Sequence, residues 1–474
     1  MVVGVAILSM AVLSRILTPA EIGLFIVSST FVVLVEALRD FGIGAFLISE
    51  TGLTQRLTRT AVTLIASFSL LLGGALFVGA PTVAGFYGDP AMTDMIRVAT
   101  VGFLLAPISA PLLALLRRDM QFGKVASINI CAGLGNGAAT IALALAGVGP
   151  LSLVIGSVTS AGITAVGAAF FRPDIAIFRP GLHGWRRVLA FGSWSSVVTM
   201  LGLILDAFPR LILGRILGLG AVGLFARTVS IAQLPDRLIF SAVQPVLLPA
   251  LADHARANGT LSAPFLRGLS YISGLQWPAL AMITLFADPI VRLLLGDQWL
   301  DVVPLVRIVA PALFCVFPIY MCYPTLVACG RLPQMATAMA ILLIPSCAIM
   351  LAASTISLQA MAASLFVTGP LQVAILLTTV RRYVPFEWGD LAARMMHSAG
   401  ITITTIAMPA AVLLSEESWS NLGAGSLLVA GIGAGIGWAC AVHFLDHPLK
   451  SELTALSSVM QSSRHGRREP LMRS

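Results

Sequence analysis

Residues 13–25 of the chain, LSRILTPAEIGLF, recur as residues 213–225, LGRILGLGAVGLF, at an offset of 200. Seven residues are identical between the two copies, and Ile22 is matched by Val222. The identical residues of the first copy are Leu13, Arg15, Ile16, Leu17, Gly23, Leu24 and Phe25. A repeat of this period is far longer than the roughly 20–50 residues of a solenoid unit. It therefore predicts a chain that is built from two similar halves.

The composition places most of the chain in lipid. Of the 474 residues, 58% are hydrophobic and 11% are charged, whereas soluble domains average about 45–50% apolar and about 25% charged residues. A single soluble core cannot bury this excess. The net charge of +8 would suggest a nucleic-acid partner in a soluble protein. In a membrane protein it indicates basic loops on the cytoplasmic side, so no nucleic-acid partner is predicted.

Apolar runs between Pro, Gly and charged breaks predict an all-α integral membrane protein with about fourteen transmembrane helices, each near the roughly 20 residues that a bilayer requires. The first run ends at Arg15 without a signal-peptide cleavage site, so we expect it to be a helix of the body. The predicted helices are 1–17, 22–41, 60–85, 95–116, 125–147, 151–171, 188–213, 219–249, 266–287, 302–329, 333–353, 356–379, 396–415 and 422–445.

The repeat aligns the first predicted helix with the seventh and so divides the chain. Since six is even, both halves should enter the membrane in the same direction, related by an axis along the membrane normal. A weaker echo between FYGDPAMTDMIRVA at 86–99 and LLGDQWLDVVPLVRIVA at 294–310 supports this division. The predicted units are a six-helix lobe at 1–171, a second at 188–379, two extra helices within 396–445 and a disordered basic tail at 446–474.

The distribution of basic residues predicts the orientation. Alternate loops of a fourteen-helix chain, together with the tail, contain 21 of the 29 Lys and Arg residues. Since cytoplasmic loops carry the excess of Lys and Arg, this side is predicted to be cytoplasmic. Both termini are therefore expected in the cytoplasm.

No motif predicts a cofactor. Cys315, Cys322 and Cys329 repeat every seven residues and should share one helix face. No His or carboxylate accompanies them, so we expect packing roles, with metal or redox chemistry as the alternative. The glycine-rich run GIGAGIG at 431–437 follows no strand and is typical of close helix packing.

Polar side chains form a stripe along the eighth predicted helix. An ionisable group at the bilayer centre costs about 2.5–3.5 kcal/mol on insertion scales, so it usually faces water or a partner. At 100° per residue the stripe is about 120° wide, and it should line an aqueous cavity. Alternatively, neighbouring helices satisfy these groups. The stripe comprises Arg227, Ser230, Gln233, Arg237, Ser241 and Gln244, with Asp236 beside it and Pro235, Pro245 and Pro249 as expected kinks.

Two further pairs of charged residues are candidates. Glu36 and Arg39 lie on the polar face of the second helix, where Arg39 could instead pair with Asp40 at the cytoplasmic end. Asp206 and Arg210 are spaced i,i+4 in the seventh helix. They fit either a salt bridge or a carboxylate that couples transport to an ion.

Arg15 and Arg215 are equivalent positions of the repeat near helix C-termini. There they could complement the helix dipole and extend to the membrane surface. The alternative is contact with a phosphate, since the guanidinium fork suits phosphate oxygens.

Three stretches resemble bacterial oligosaccharide and polysaccharide flippases of the multidrug/oligosaccharidyl-lipid/polysaccharide exporter superfamily. They are LSRILTPAEIGLF with ALRDFGIGAFLI at 37–48; FYGDP at 86–90 with LLRRDMQF at 115–122; and DAFPRLILGRILGLGAVGLFARTVSIAQLPDRLIFSAVQPVLLPAL at 206–251. The resemblance implies two six-helix lobes around a cavity that opens alternately to each side of the bacterial inner membrane. It implies that the substrate is a lipid-linked oligosaccharide, usually on undecaprenyl pyrophosphate. Membrane lipid, a polysaccharide polymerase and export proteins are the other expected partners.

Two other functions are alternatives to a flippase. A drug or cation antiporter of the same superfamily would need a mainly acidic cavity, but the spans contain more Arg than carboxylate. A membrane glycan polymerase or ligase would need a long outward loop with catalytic residues, and the widest, near 288–301, is short. The chain is therefore expected not to be an enzyme. Without an ATP-binding motif, we expect transport to be driven by an ion gradient.

Overall fold

The computed structural model describes residues 2–191, 193–239, 251, 260–415, 424–445 and 447–450, and this part of the chain contains helices and no β-strand. The α-helices are α1 Val2–Ile16, α2 Pro19–Asp40, α3 Ile43–Ser49, α4 Gln55–Tyr87, α5 Ala91–Ala99, α6 Val101–Arg118, α7 Phe122–Leu145, α8 Leu151–Phe171, α9 Trp185–Phe191, α10 Ser193–Ile216, α11 Leu219–Ala232, α12 Ser262–Leu285, α13 Ala287–Leu294, α14 Val302–Ala312, α15 Ile319–Ala328, α16 Leu332–Ser354, α17 Leu358–Ala363, α18 Leu365–Arg381, α19 Trp388–Ser415 and α20 Ala424–Phe444. Short 3₁₀ helices lie at Ile175–Phe178, Asp297–Trp299 and Leu313–Cys315.

The helices confirm an all-α, multi-pass membrane protein. Each of the fourteen predicted stretches overlaps a helix, and eleven helical segments of the described chain are long and apolar enough to span a bilayer. There are twelve if α12 and α13, which meet at 81°, count as one bent span. Two shorter apolar helices, Ile7–Ile16 and Leu219–Ala232, correspond to the first and eighth predicted helices. The count of fourteen stays a prediction.

Several boundaries differ from the prediction for local reasons. The tenth predicted helix, 302–329, is divided between α14 and α15, where Pro311 and Pro318 remove backbone donors. The eighth, 219–249, is interrupted by a turn at Gln233, two residues before Pro235, and is helical again at 234–239. Residues 240–250, which include Ser241, Gln244, Pro245 and Pro249, lie outside the described residues.

Contacts divide the chain into two compact units. The first unit comprises Met1–Ser230, Ile290–Leu305 and Leu332–Thr368, and the second comprises Ile231–Pro289, Val306–Arg331 and Gly369–Ser474. The predicted lobes follow the sequence repeat rather than these contacts, and they remain a prediction.

In the second unit, α12 packs against α19, and a buried polar chain connects them. The hydroxyls of Ser273 and Ser398 lie 2.8 Å apart, and Nε2 of His447 lies 3.5 Å from the Ser398 hydroxyl. His447 is fully buried, and its Nδ1 accepts a hydrogen bond from the backbone N–H of Leu449 at 3.3 Å. Residues 447–450 therefore contact α12 and α19, and the disordered tail at 446–474, most of which lies outside the described residues, remains a prediction.

Burial, together with the nearby His397 and Arg394, lowers the pKa of His447 to about 4. The imidazole is therefore neutral at physiological pH. A neutral imidazole is compatible with this buried site, whereas a protonated imidazole beside the positive charge of Arg394 would be destabilised.

Candidate functional site

The repeated glycines are packed against the opposite copy of the repeat. A Cβ atom at Gly23 would lie 1.8 Å from the carbonyl oxygen of Leu219, and one at Gly223 would lie 1.9 Å from the carbonyl oxygen of Pro19. Pro19 and Leu219 are themselves equivalent under the offset of 200. The contact between α2 and α11 is therefore reciprocal, and only glycine allows the two backbones to approach this closely.

The C-terminal end of α1 is capped by a distant segment of the second half. The indole N–H of Trp299 donates to the carbonyl oxygen of Ser14 at 2.6 Å, and the side-chain amide of Gln298 donates to the same oxygen. Arg15 donates from Nη2 to the carbonyl oxygen of Leu293 at 3.0 Å. The last carbonyls of a helix have no intrahelical partner, so Trp299 and Gln298 supply donors at the end of α1, and Arg15 supplies one at the end of α13. We call this contact the α1 latch.

The end of α10 has a related contact, the α10 latch. The hydroxyl of Tyr87 donates to the carbonyl oxygen of Leu211 at 3.1 Å, and the guanidinium of Arg215 lies 5.0 Å from the ring centroid of Phe86. Gly214 faces the Tyr87 ring, and a Cβ there would lie 3.0 Å from it. Arg215 and Gly214 are equivalent to Arg15 and Ser14. The turn after the third predicted helix of each half therefore contacts the first helix of the other half.

Arg227, the first residue of the polar stripe, lies beside the α1 latch. Its guanidinium is 5.7 Å from the ring centroid of Trp299, and its Nε is buried without a hydrogen-bond partner. A cation–π contact offsets only part of the free energy of removing a guanidinium from water. Arg227 thus has unused hydrogen-bonding capacity. Gln233 lies in the turn after α11, and Arg237 is exposed.

Asp236 is buried in the second unit among neutral donors. One carboxylate oxygen accepts a short hydrogen bond from the amide of Gln276, and the other accepts from the hydroxyl of Tyr320 at 2.9 Å. No Arg or Lys of the described chain forms an ion pair with Asp236. Gln276 is fully buried, and its Oε1 has no partner. Sequence reasoning missed Gln276 and Tyr320, because an uncharged side chain in an apolar run gives no signal of its own.

Two ion pairs that helical spacing allows are not formed within the described residues. Asp206 is exposed and is not joined to Arg210, and Asp40 is exposed and is not joined to Arg39. Sequence spacing alone places partners on one helix face but does not bring their charged ends together. Glu36, also on α2, is half-buried.

Arg39 and Arg97 make contacts like that of Arg227. The guanidinium of Arg39 lies 5.5 Å from the ring centroid of Phe103, and that of Arg97 lies 5.1 Å from the ring centroid of Phe77. Each has one buried nitrogen without a hydrogen-bond partner. Arg97 was not among the predicted site residues. The signal that could have identified it is the echo in which it corresponds to Arg307 of the second half.

No group of three or more His, Cys, Asp or Glu side chains in the described ranges could hold a metal ion. Cys315, Cys322 and Cys329 are exposed, buried and half-buried respectively. They do not share one face of a helix, because the chain is interrupted between α14 and α15.

Comparison with protein families gives a match to one family model. Residues 12–304 match the family described as "Polysaccharide biosynthesis protein". Among curated relatives, the chain is 24% identical over 311 residues to the lipopolysaccharide biosynthesis protein WzxC of Escherichia coli K12, covering 65% of this chain and 63% of that protein. It is 27% identical over 313 residues to the teichuronic acid biosynthesis protein TuaB of Bacillus subtilis 168, covering 65% and 64% respectively. The chain thus matches less than two thirds of the length of these relatives.

A third relative is the succinoglycan biosynthesis transport protein ExoT of Rhizobium meliloti, 24% identical over 65% of this chain and 62% of its own length. Among solved structures, the lipid II flippase MurJ in an inward closed conformation matches with a TM-score of 0.75 at 11% identity, covering 93% of this chain and 97% of that one. A multidrug resistance transporter of the MATE family matches with a TM-score of 0.67 at 14% identity, covering 81% and 94%. At these identities the likeness shows the fold.

Proposed function

Since the chain belongs to the polysaccharide biosynthesis protein family, we propose that it is a flippase for a lipid-linked oligosaccharide precursor of a surface polysaccharide. The substrate is carried on undecaprenyl pyrophosphate and moves from the cytoplasmic to the periplasmic leaflet of the bacterial inner membrane. Both termini are cytoplasmic, and the protein performs no covalent chemistry. The polysaccharide biosynthesis and transport roles given by the names of the relatives, and the fold shared with a lipid II flippase, support this proposal.

The observation that carries the proposal is the reciprocal contact between the two halves. The Gly23–Gly223 crossing brings equivalent segments of the repeat together, and each latch joins the first helix of one half to the turn after the third predicted helix of the other half. In the predicted orientation, the turns between α1 and α2 and between α10 and α11 face the periplasm. Release of the substrate into the periplasmic leaflet then requires these contacts to separate, as alternating access demands.

Arginines with unused hydrogen-bonding capacity suit a pyrophosphate. Arg227 and Arg39 each have a buried nitrogen without a partner, and a guanidinium fork binds phosphate oxygens in pairs. Their remaining donors would lower the free energy of bringing the anionic group into the membrane. The proposed substrate-contacting set is Arg15, Glu36, Arg39, Asp206, Arg210, Arg215, Arg227, Gln233, Asp236, Arg237 and Gln244.

We propose Asp236 as the residue that couples transport of the substrate to movement of an ion. Its neighbours Gln276 and Tyr320 are neutral, so a proton or small cation that binds the carboxylate removes an uncompensated buried charge. Binding of the ion and its release on the other side would then favour different conformations. A proton gradient is the proposed energy source.

The binding role of Arg227 is tested by two substitutions. Arg227→Gln should abolish surface polysaccharide at a normal protein level, and Arg227→Lys should restore part of it, because the ammonium keeps the charge but not the fork. The matched control is Arg382→Gln, which changes an exposed arginine. Normal polysaccharide in the Gln variant would exclude substrate binding by Arg227.

A drug or cation antiporter is the second candidate, and its support is the fold shared with the MATE transporter. Such a protein would extrude cationic dyes in a manner that depends on Asp236 and not on Arg227. Dye efflux that survives Arg227→Gln and fails in Asp236→Asn would favour it over the flippase.

A further inference from the structure

We propose that the segment 172–187, which joins the two halves of the repeat, lies on the membrane surface and binds the phosphate groups of anionic lipids in the cytoplasmic leaflet. We call it the linker. The inference depends on the orientation in the proposed function but not on the transported substrate.

The linker presents large apolar side chains outside any candidate span. Ile175 is 81% exposed, Leu182 is 62% exposed, Trp185 is 44% exposed and Phe178 is 37% exposed. The neighbouring spans are Leu151–Phe171 and Ser196–Ile216, so the linker begins directly after the first span and ends nine residues before the second. Apolar side chains at this level are expected in the region between headgroups and acyl chains. In water they would remain without a partner.

Four arginines of the linker divide into two kinds. Arg172 forms a salt bridge with Asp119, and Arg187 forms one with Glu50 at 2.7 Å. These two salt bridges hold the linker to the rest of the first unit. Arg179 and Arg186 are exposed, and neither forms an ion pair within the described chain. The guanidinium of Arg186 lies 5.5 Å from the ring centroid of Trp185. The exposed charged side chains of the linker are therefore arginines, which alternate with apolar groups, whereas the one carboxylate of the linker, Asp174, is half-buried.

The backbone of the linker is held by α4. Arg59 donates to the carbonyl oxygen of Ala176 at 2.9 Å, and the hydroxyl of Thr60 donates to that of His183 at 2.8 Å. The N–H of Gly181 donates to the hydroxyl of Thr63 at 3.0 Å. Since these bonds hold the backbone in place, the exposed side chains cannot turn inward by a simple rearrangement of a loose loop.

The charge and the position of the linker together favour lipid, rather than a protein partner, as the molecule that contacts its exposed side chains. An anionic leaflet attracts arginines near its surface, and a tryptophan beside a basic residue is typical of the membrane–water boundary. Because the linker is bonded to the first unit, lipid binding would fix the depth of that unit in the bilayer while other parts of the chain move.

The test uses nitroxide labels on single cysteines in the full-length chain with its six native cysteines replaced. Labels are placed by Ile175→Cys, Leu182→Cys and, as a control, Thr51→Cys, an exposed polar position in another loop on the same predicted side. Each protein is reconstituted in nanodiscs of phosphatidylcholine alone or mixed with phosphatidylglycerol. Collision rates with oxygen and with a water-soluble nickel complex report the depth of each label.

We expect labels at 175 and 182 to collide more with oxygen, and the label at 51 more with nickel. Phosphatidylglycerol should move the labels at 175 and 182 deeper into the bilayer. The double variant Arg179→Gln/Arg186→Gln should lose this dependence on lipid composition while its melting temperature stays unchanged. The proposal would be overturned if the labels at 175 and 182 collided with the nickel complex as often as the label at 51 does, in both lipid compositions. Protection in native membranes but not in nanodiscs would also overturn it and indicate a protein partner. Since transport is not measured, the result is independent of the flippase assignment.

Discussion

The two first helices of the repeat end in equivalent residues but are held by unequal contacts. At the α1 latch, the fully buried Trp299 and the exposed Gln298 both donate to one carbonyl oxygen, and Arg15 donates to another. At the α10 latch, one half-buried tyrosine donates a single bond, and Arg215 lies over the ring of Phe86. The glycine crossing between them is the same from both sides. The backbone approach has thus been retained in both copies while the side-chain contacts have diverged, and we infer that the α10 latch opens more easily.

The largest effect is expected at the shared crossing. Gly23→Ala or Gly223→Ala places a Cβ within 2 Å of a backbone carbonyl, so α2 and α11 must move apart. We expect a fall in transport of at least about tenfold, equal to about 1.4 kcal/mol, and similar in size for both variants. Transport of lipid-linked oligosaccharide into vesicles measures it.

Gly79→Ala is the matched control, because nothing lies within 4 Å of a Cβ at that helical position. If only one of the two crossing variants lost transport, the contact would not be functionally reciprocal.

The inequality of the latches predicts unequal losses of stability. Trp299→Ala removes a fully buried indole and should destabilise the protein by about 3–5 kcal/mol. Tyr87→Phe removes one hydrogen bond and should destabilise it by about 0.5–1.5 kcal/mol. Thermal unfolding in detergent compares them, with Trp185→Ala as the control for loss of an exposed tryptophan. Equal losses would remove the distinction between the latches.

Asp236 and Glu36 are equivalent positions of the repeat, and we expect only one of them to couple transport to protons. Asp236→Asn should make the transport rate in vesicles insensitive to the proton gradient, because the amide cannot take up a proton. Glu36→Gln should keep the response. A preserved gradient response in Asp236→Asn, or its loss in Glu36→Gln, would contradict this assignment.

Near neutral pH the smallest effect is expected in the C-terminal helices, which lie outside the predicted repeat. The pKa of His447 is lowered to about 4 in the folded protein and should be near 6.5 in the unfolded chain. Between these values the unfolded chain binds the proton and the folded chain does not. Stability is therefore complete above pH 6.5 and decreases as the pH falls towards 4. Lowering the pH from 7 to 4 should lower the melting temperature of the wild type more than that of His447→Gln, because glutamine does not titrate.

The repeat predicted the two-half plan and identified Gly23, Gly223, Arg15 and Arg215 as equivalent. It could not predict that the glycines contact each other, because equivalence under a repeat does not fix the distance between copies. The helices themselves followed from apolar length. Their interruptions at Gln233 and between α14 and α15 depend on how each proline is accommodated by its neighbours.

The candidate site was less accessible to sequence reasoning. Helical spacing favoured pairing of Asp206 with Arg210, but the folded chain leaves Asp206 exposed. The partners of Arg227 and Asp236 lie far along the chain at Trp299, Gln276 and Tyr320. Such contacts arise from tertiary packing, and a local polar pattern contains no information about them.

The enclosure of Trp299 gives the protein a built-in optical sensor. Its indole is shielded from water and bonded to Ser14, so separation of α1 from this segment would hydrate the ring and shift its fluorescence to longer wavelength. In a variant in which the other six of the seven tryptophans are replaced by phenylalanine, the emission spectrum would follow opening in real time without any attached dye.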